Sequence, residues 1–369
     1  MSVQLSVVIP TGRDPTNLGQ VLEALDASDL PRDLWELIVV DDGGTDETVA
    51  IAAPYADTIV RLTGKPHGAP YARNRGAEVA NGEILVFVDD DVCVRPNTLR
   101  RMALAFLDSP DVAAVHGSFD DEPSRGLVSQ YRDLMDHYLH NGSRGEAGGF
   151  WADCGAVRRD SFFAVGMFNE WHFSREQIEA LELGHRLLDQ GFRIGFHPEI
   201  SASHLKRWTL GRMIATDLRE RSVPRSRLLM KRGDAVLNPA VPETACAVLT
   251  WVGLLLGILW LVTHSAAFGL LAAGAFAVVL LLNLPVFNVF RRRRGLLFTL
   301  AVTPLHLLHF ALTGIALVLG VVLHHSVGDP QPSATVQAFS EVGVVKWPPV
   351  PRPVDSVSKR PANGSQQGG

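Results

Sequence analysis

The chain has 369 residues with 34 Lys+Arg against 39 Asp+Glu, and its net charge of −5 leaves no electrostatic footprint for nucleic acid. Its three cysteines, Cys93, Cys154 and Cys246, are too few and too scattered for a disulfide framework or a zinc site. A mean hydropathy of +0.13 fits a soluble domain joined to a membrane segment.

Residues 4–10 (Gln-Leu-Ser-Val-Val-Ile-Pro) read as a first strand, followed by Thr11-Gly12-Arg13-Asp14 and a helical stretch over 17–27. Residues 36–40 form a second buried strand that ends in acids, Asp41-Asp42-Gly43-Gly44-Thr45-Asp46. The two glycines permit a tight turn and close backbone approach, and Thr45 or Asp46 can cap the next helix. A short strand over 58–62 and a helix over 68–80, bearing Ala72-Arg73-Asn74-Arg75-Gly76, come next. The fourth strand, 84–88, carries the strongest signal, because Ile-Leu-Val-Phe-Val closes on Asp89-Asp90-Asp91. Open α/β sheets take their ligands just outside the carboxyl ends of the strands. Three carboxylates there repel one another unless a hard cation sits among them. Mg²⁺ or Mn²⁺ accepts oxygen ligands together with substrate phosphates. The bland alternative for the triplet alone is a solvated acidic turn. Strand alternating with helix predicts an α/β fold with a mostly parallel sheet. Two acid-tipped strands and an arginine-bearing helix then converge on one edge, suited to ribose hydroxyls, a diphosphate and a bridging metal.

Val7-Val8-Ile9-Pro10-Thr11, Val40-Asp41-Asp42-Gly43-Gly44-Thr45-Asp46, Ala72-Arg73-Asn74-Arg75-Gly76 and Val88-Asp89-Asp90-Asp91 resemble the four ordered signatures of family-2 glycosyltransferases of the GT-A fold. The resemblance covers roughly residues 4 to 230. It implies a Rossmann-like sheet flanked by helices, a nucleotide-diphosphate sugar donor and a divalent metal. By position it places Pro10, Thr11 and Asp42 in the nucleoside pocket with Arg13, Asp42 accepting from the base. Arg73 then lies near the nucleotide and Asp90 faces the ribose. Asp91, with Asp89, holds the Mg²⁺ or Mn²⁺, and His204 completes the metal site after the donor binds. The alternative for Arg73 and Arg75 is a solvated helix face.

The second half of the domain resembles the acceptor side of that family. Trp151-Ala152-Asp153-Cys154-Gly155-Ala156 matches its acceptor loop, which puts Asp153 with the acceptor. Val165-Gly166-Met167-Phe168-Asn169-Glu170 matches a Gly-Gly-Phe-Asp-Glu element in which Met167 replaces the second Gly and Asn169 the Asp. A helix over 175–190 closes at Gly191 and brings Glu176, Glu179, Glu182 and Arg186 to one face. The family pattern there begins Glu-Asp, and this chain has Glu179-Ala180. Inverting transfer to a hydroxyl needs a base. Glu179 is the first candidate and Glu176 the second, while Glu182, four residues before Arg186, reads as an ion pair on the helix surface. A site with no working base stays open. A strand over 194–204 ends at His204, and Lys206-Arg207-Trp208 follows. The Arg-Trp pair resembles an element of processive relatives, with Trp208 as a sugar platform and Arg207 on a diphosphate. The other reading is an interfacial pair at a membrane surface.

From Lys206 to Arg232 there are nine Lys/Arg against two acids, interleaved with apolar residues, which reads as basic helices on anionic headgroups. Three uncharged stretches follow, 244–263, 265–290 and 295–323, with Arg291-Arg292-Arg293-Arg294 between the last two. Three spans are expected. The positive-inside rule puts the arginines and the catalytic domain in the cytoplasm, on a multi-pass cell-membrane protein whose tail lies outside. With no signal peptide ahead of the first strand, the expected divisions are 1–205 (nucleotide half 1–115, acceptor half 116–205), 206–243 basic and interfacial, 244–325 transmembrane, and 326–369 a disordered tail. His306 and His309 fall in the third span, where they suit either a lipid phosphate or helix–helix hydrogen bonds. The expected function is a membrane-anchored inverting glycosyltransferase whose acceptor is a lipid-linked sugar, a polyprenyl phosphate or a cell-envelope glycan. The alternatives are a catalytically impaired nucleotide-binding scaffold, favoured by Ala180, and a nucleotidyltransferase. The latter lacks its glycine-rich, lysine-bearing loop here.

Overall fold

The computed structural model describes residues 4–12, 14–120, 126–140, 145–173, 178–232 and 237–327. Arg13, Glu176 and the tail beyond 327 lie outside the described residues.

The first four strands alternate with helices as their apolar runs dictate: β1 (Leu5–Thr11), α1 (Leu18–Asp26), β2 (Trp35–Asp42), α2 (Asp46–Ala52), β3 (Thr58–Leu62), α3 (Ala69–Val79) and β4 (Ile84–Val88). These strands are parallel, in the order β3-β2-β1-β4. Every residue of β1 and β4 is buried, as expected where both faces of a parallel sheet are covered. Val7, Ile9 and Val39 turn to one face and pack with Leu18, Val21, Leu22 and Leu25 of α1. Val8, Ile38 and Val40 turn to the other, a two-residue alternation that feeds two separate cores. Each fully buried aliphatic side chain contributes about 1.5–3 kcal/mol. Gly76 lets α3 lie close on that second face, since a Cβ there would stand 2.4 Å from Val8 Cγ1 and 3.0 Å from Val40 Cγ2.

The second half adds β5 (Val92–Val94), α4 (Thr98–Asp108), β6 (Val112–Phe119), α5 (Leu127–His140), β7 (Gly145–Glu146), β8 (Cys154–Arg158), α6 (Arg159–Ala164), α7 (Glu179–Asp189) and β9 (Arg193–His204). Here the sheet becomes mixed. β8 runs antiparallel between β4 and β6, β9 runs parallel to β6, and β5 and β7 pair antiparallel with β9. The return of β9 sets His204 opposite Val92, and the Leu205 N–H donates to the Asp91 carbonyl at 2.8 Å. The end of β9 is thereby stitched to the acidic triplet. Helix α7 starts at Glu179, four residues later than the expected 175. Its first turn carries Glu179 and Glu182, charges that suit a helix N-terminus.

Beyond the sheet come α8 (Leu210–Thr216), a π-helical turn (Asp217–Ser222), α9 (Val223–Arg232), α10 (Leu237–Thr263), α11 (Ala266–Leu282) and α12 (Leu284–Val327). Two of these helices, α10 over Glu243–Thr263 and α12, are long and apolar enough to cross a membrane. The second expected stretch, 265–290, is instead broken at Asn283. Its side chain donates to the Val279 carbonyl at 2.8 Å and to Cys246 Sγ at 3.3 Å. That leaves α11 with 17 residues, about 26 Å of helix against a hydrocarbon core of about 30 Å. α12 changes direction at Gly295, whose φ of 87° falls directly after the four arginines.

Candidate active site

A cleft of about 1110 Å³ opens at the carboxyl ends of β1, β2 and β4, lined by Pro10, Thr11, Asp42, Arg73, Asp89, Asp90, Asp91 and Arg207 among others. Eight candidate residues separated by nearly two hundred positions in the chain thus face one space. Thr11 contributes a buried Oγ1 that has no hydrogen-bond partner among the described residues, on the cleft wall.

Asp42 closes β2 with a carboxylate that receives the N–H of His67 at 2.9 Å and of Gly68 at 2.6 Å. Part of its accepting capacity therefore shapes the turn into α3. Asp41, one residue earlier, faces away from the cleft and accepts from Gly44 at 2.6 Å. Burial pushes its carboxyl above the ordinary carboxylate range. A Cβ on Gly44 would stand 2.3 Å from Asp41 Oδ1, so the second glycine of Gly43-Gly44 is required by this close turn.

Arg73 is buried, not a solvated helix-face residue. It is 1 % exposed and donates to Asp89 at 2.5 Å and to Glu179 at 2.7 Å. This triad joins α3, the end of β4 and α7 beside the cleft. Glu179 is thus committed to Arg73, and Ala180 beside it is buried in the second core. Arg75 is likewise buried, 3.3 Å from Glu170 and 3.0 Å from Glu78. Asn74 between them donates to the Phe168 carbonyl and accepts the Phe168 N–H at 3.0 Å. The Arg-Asn-Arg segment therefore braces the 166–170 turn. There Met167, standing where the family pattern has glycine, sits at φ 59°, a left-handed conformation that costs a side-chain-bearing residue. Arg186 holds that turn by donating to the Met167 carbonyl at 2.6 Å while paired with Glu182 at 2.8 Å.

Asp91 and His204 meet at 3.6 Å, and His204 Nε2 lies 3.9 Å from Asp153. Burial favours the neutral imidazole, but the neighbouring Asp153 and Asp91 carboxylates outweigh it and lift His204 to about 9. Asp153 shifts the other way, since His204 and Arg73 overcome its burial and hold its carboxyl well below the ordinary range. Among the described residues no three His, Cys, Asp or Glu side chains gather as a closed metal cage. An oxygen and a nitrogen donor facing each other beside a cleft suit an open site. Mg²⁺ and Mn²⁺ are commonly held by one or two side chains, with phosphates and water supplying the rest. Asp89, expected with them, is engaged by Arg73.

Trp208 does not present a sugar platform. Its ring is 8 % exposed and packs with Tyr131, Met213, Val286 and Phe290. The guanidinium of Arg132 sits 5.2 Å from the ring centre. Arg207 is the exposed member of the pair and turns to the cleft.

A parallel half whose strands end in carboxylates at a cleft, continued by a mixed half that returns a histidine to the same edge, is the GT-A arrangement. Residues 6–166 match the family described as Glycosyl transferase family 2, and the chain carries a domain of that family. Over 110 residues the chain is 32% identical to "Poly(ribitol-phosphate) beta-N-acetylglucosaminyltransferase TarS" of Staphylococcus aureus, covering 29% of this chain and 19% of TarS. It is 25% identical over 205 residues to "Glycosyltransferase AglE" of Haloferax volcanii, covering 54% and 66%. The chain thus spans less than two thirds of the length of each. Among solved structures, a mannosyltransferase, PcManGT from Pyrobaculum calidifontis, superposes with a TM-score of 0.53 at 18% identity, covering 89% of both chains. That likeness concerns the fold.

Proposed function

We propose that this protein is a membrane-anchored, inverting glycosyltransferase that moves a sugar from a nucleotide-diphosphate donor to a lipid-linked or cell-envelope acceptor. The observation that carries this reading is that Asp91, on the wall of a cleft also lined by Pro10, Thr11, Asp42, Arg73 and Asp90, lies 3.6 Å from His204, which in turn lies 3.9 Å from Asp153. Relatives whose names specify poly(ribitol-phosphate) and dolichyl-phosphate substrates favour an envelope acceptor. The PcManGT structure holds GDP-Man and Mn²⁺, which favours a nucleotide sugar and a divalent ion here.

In this reading the nucleoside lies against Pro10 and Thr11, where the unpartnered Thr11 hydroxyl gains a hydrogen bond. Asp91 and His204 would hold the Mg²⁺ or Mn²⁺, which offsets charge on the departing diphosphate. His204 would bind such an ion through its neutral imidazole. Lys206, Arg207 and Arg212 add positive charge beside the leaving group. The apolar helices α10 and α12 keep the cleft near a bilayer, with the Arg291–Arg294 stretch of α12 on the cytoplasmic side.

The base is the step in which this chain departs from the family pattern. Glu179 is held by Arg73, and Ala180 offers no carboxylate. An acceptor whose nucleophile arrives ionised, as a lipid phosphate does, needs no proton removed. That favours a polyprenyl phosphate over a sugar hydroxyl.

The test is release of free nucleoside diphosphate from a panel of nucleotide sugars with Mg²⁺ or Mn²⁺, with and without a polyprenyl phosphate. Nucleoside diphosphate released only with the lipid present supports the reading. Pyrophosphate release would instead make the protein a nucleotidyltransferase, and binding without turnover would make it a scaffold.

A further inference from the structure

His306 and His309 stand one turn apart on α12 and do different work. His306 Nε2 lies 3.0 Å from Asn283 Oδ1, and its Nδ1 lies 3.1 Å from the Tyr131 hydroxyl. Asn283 offers an oxygen there, so Nε2–H donates and the tyrosine O–H donates to Nδ1, a neutral imidazole joining α5, α11 and α12. His309 faces two carboxylates instead, Asp217 at 3.5 Å and Glu243 at 3.4 Å. Asp217 is 2 % exposed and opens the π-helical turn, a local distortion frequent at functional sites.

From Asp217 the contacts lead back to the cleft. Arg132 of α5 donates to Asp217 at 2.9 Å and holds its guanidinium against the Trp208 ring. Ser129, one turn earlier on α5, accepts the Trp208 N–H at 2.8 Å. Trp208 directly follows Leu205, Lys206 and Arg207, all on the cleft wall, and the guanidinium of Arg212, another lining residue, lies 5.8 Å from its ring. Arg221 and Asp136, 3.4 Å apart, flank the same junction. Arg225 supports the far side by pairing with Glu243 at 2.8 Å.

We propose that His309 is a positioning residue for the donor cleft, acting through Asp217 and Arg132 on the Trp208 segment that carries Lys206, Arg207 and Arg212. The inference rests on the nucleotide-binding reading given above. A side chain in the apolar helix bundle thereby fixes the basic wall of a site it does not touch. Without the imidazole, Asp217 and Glu243 face each other across the vacated space, and Arg132 is free to follow Asp217 away from Trp208.

The experiment titrates the full chain, in detergent or nanodiscs, with UDP and with GDP in the presence of Mn²⁺, and follows thermal unfolding in parallel. His309→Ala weakens binding of whichever nucleotide the unmodified protein takes by about tenfold. Asp217→Asn, nearly isosteric and expected to fold, weakens it similarly. The double variant is no weaker than the worse single, because both act along one path. His309→Lys, which places a cation between the carboxylates, restores affinity to within about threefold. His306→Gln cuts the neighbouring tie without touching Asp217, and lowers Tm with Kd unchanged. A purely structural role for His309 would lower Tm and the number of binding-competent molecules but leave Kd where it was, and that result overturns the proposal. So does an equal loss of affinity in His306→Gln. Failure of the unmodified protein to bind either nucleotide overturns the nucleotide reading itself, and this inference falls with it.

Discussion

The cleft edge and the membrane junction are both built from charged side chains, but they are assembled in opposite ways. At the edge, the acids arrive as contiguous runs at strand ends, Asp41-Asp42 on β2 and Asp89-Asp90-Asp91 after β4. At the junction, Arg132, Asp217, Glu243 and His309 come singly from four different elements, and no two are neighbours in sequence. The edge turns part of its charge to the cleft. The junction spends its charge internally, as buried groups must. Asp91→Ala gives the largest effect on the edge: nucleotide-sugar turnover falls by at least about a hundredfold while the melting temperature stays close to the unmodified protein's. Turnover unchanged in that variant would remove the metal role assigned to Asp91.

Arg73 lies between the two styles, because it faces the cleft yet is consumed by Asp89 and Glu179. Arg73→Ala leaves two buried carboxylates without their partner and destabilises the protein by about 3–5 kcal/mol in thermal or urea unfolding. A loss of activity with stability intact would make Arg73 a ligand-binding group instead of a structural one. Gly76→Ala tests the packing that brings this helix to the sheet. The added methyl runs into Val8 and Val40, and the same unfolding assay registers about 1–3 kcal/mol.

The smallest effect belongs to the junction and depends on pH. Burial pushes Asp217 up, but His309 beside it at 3.5 Å and the Arg132 charge outweigh burial and hold the carboxyl below the ordinary range. A depressed carboxyl adds stability above its unfolded value of about 3.9, and that stability is lost as pH falls through the folded value. Asp217→Asn therefore lowers the melting temperature at neutral pH, by the equivalent of no more than about 2 kcal/mol, and the gap begins to narrow near pH 4 and closes only as pH falls through the depressed folded value. A constant gap at every pH would mean that packing alone accounts for the difference.

Much of the sheet was legible because its signals are local. The β3 bounds 58–62 and the β4 bounds 84–88 follow directly from apolar runs bracketed by polar residues. The strand ending at His204 was legible for the same reason, and a helix was visible around Glu179 although its start was not. What the sequence could not give was partnership across long separations. Arg73 reads as a nucleotide neighbour or a solvated helix face, and its pairing with Asp89 and Glu179, 16 and 106 residues away, emerges only on folding. Trp208 carries the same ambiguity, since a tryptophan between basic residues looks interfacial until α5 and α12 cover it. The break at Asn283 left no mark in hydropathy, because an uncharged amide does not interrupt an apolar window. It is visible only in its bonds to Val279, Cys246 and His306. Met167 departs from the family's glycine in the sequence itself, and its positive φ gives that departure a physical meaning.

The central claim is that the acid-tipped edge binds a nucleoside diphosphate through a divalent ion. Calorimetric titration of the full chain with UDP and GDP, with Mn²⁺ present and then removed by chelation, tests it most directly. One of the two nucleotides should bind with Mn²⁺ and lose at least about tenfold in affinity without it, and Asp91→Ala should reproduce that loss in the presence of the ion. Nucleotide binding that ignores both the ion and the Asp91 substitution would contradict the account.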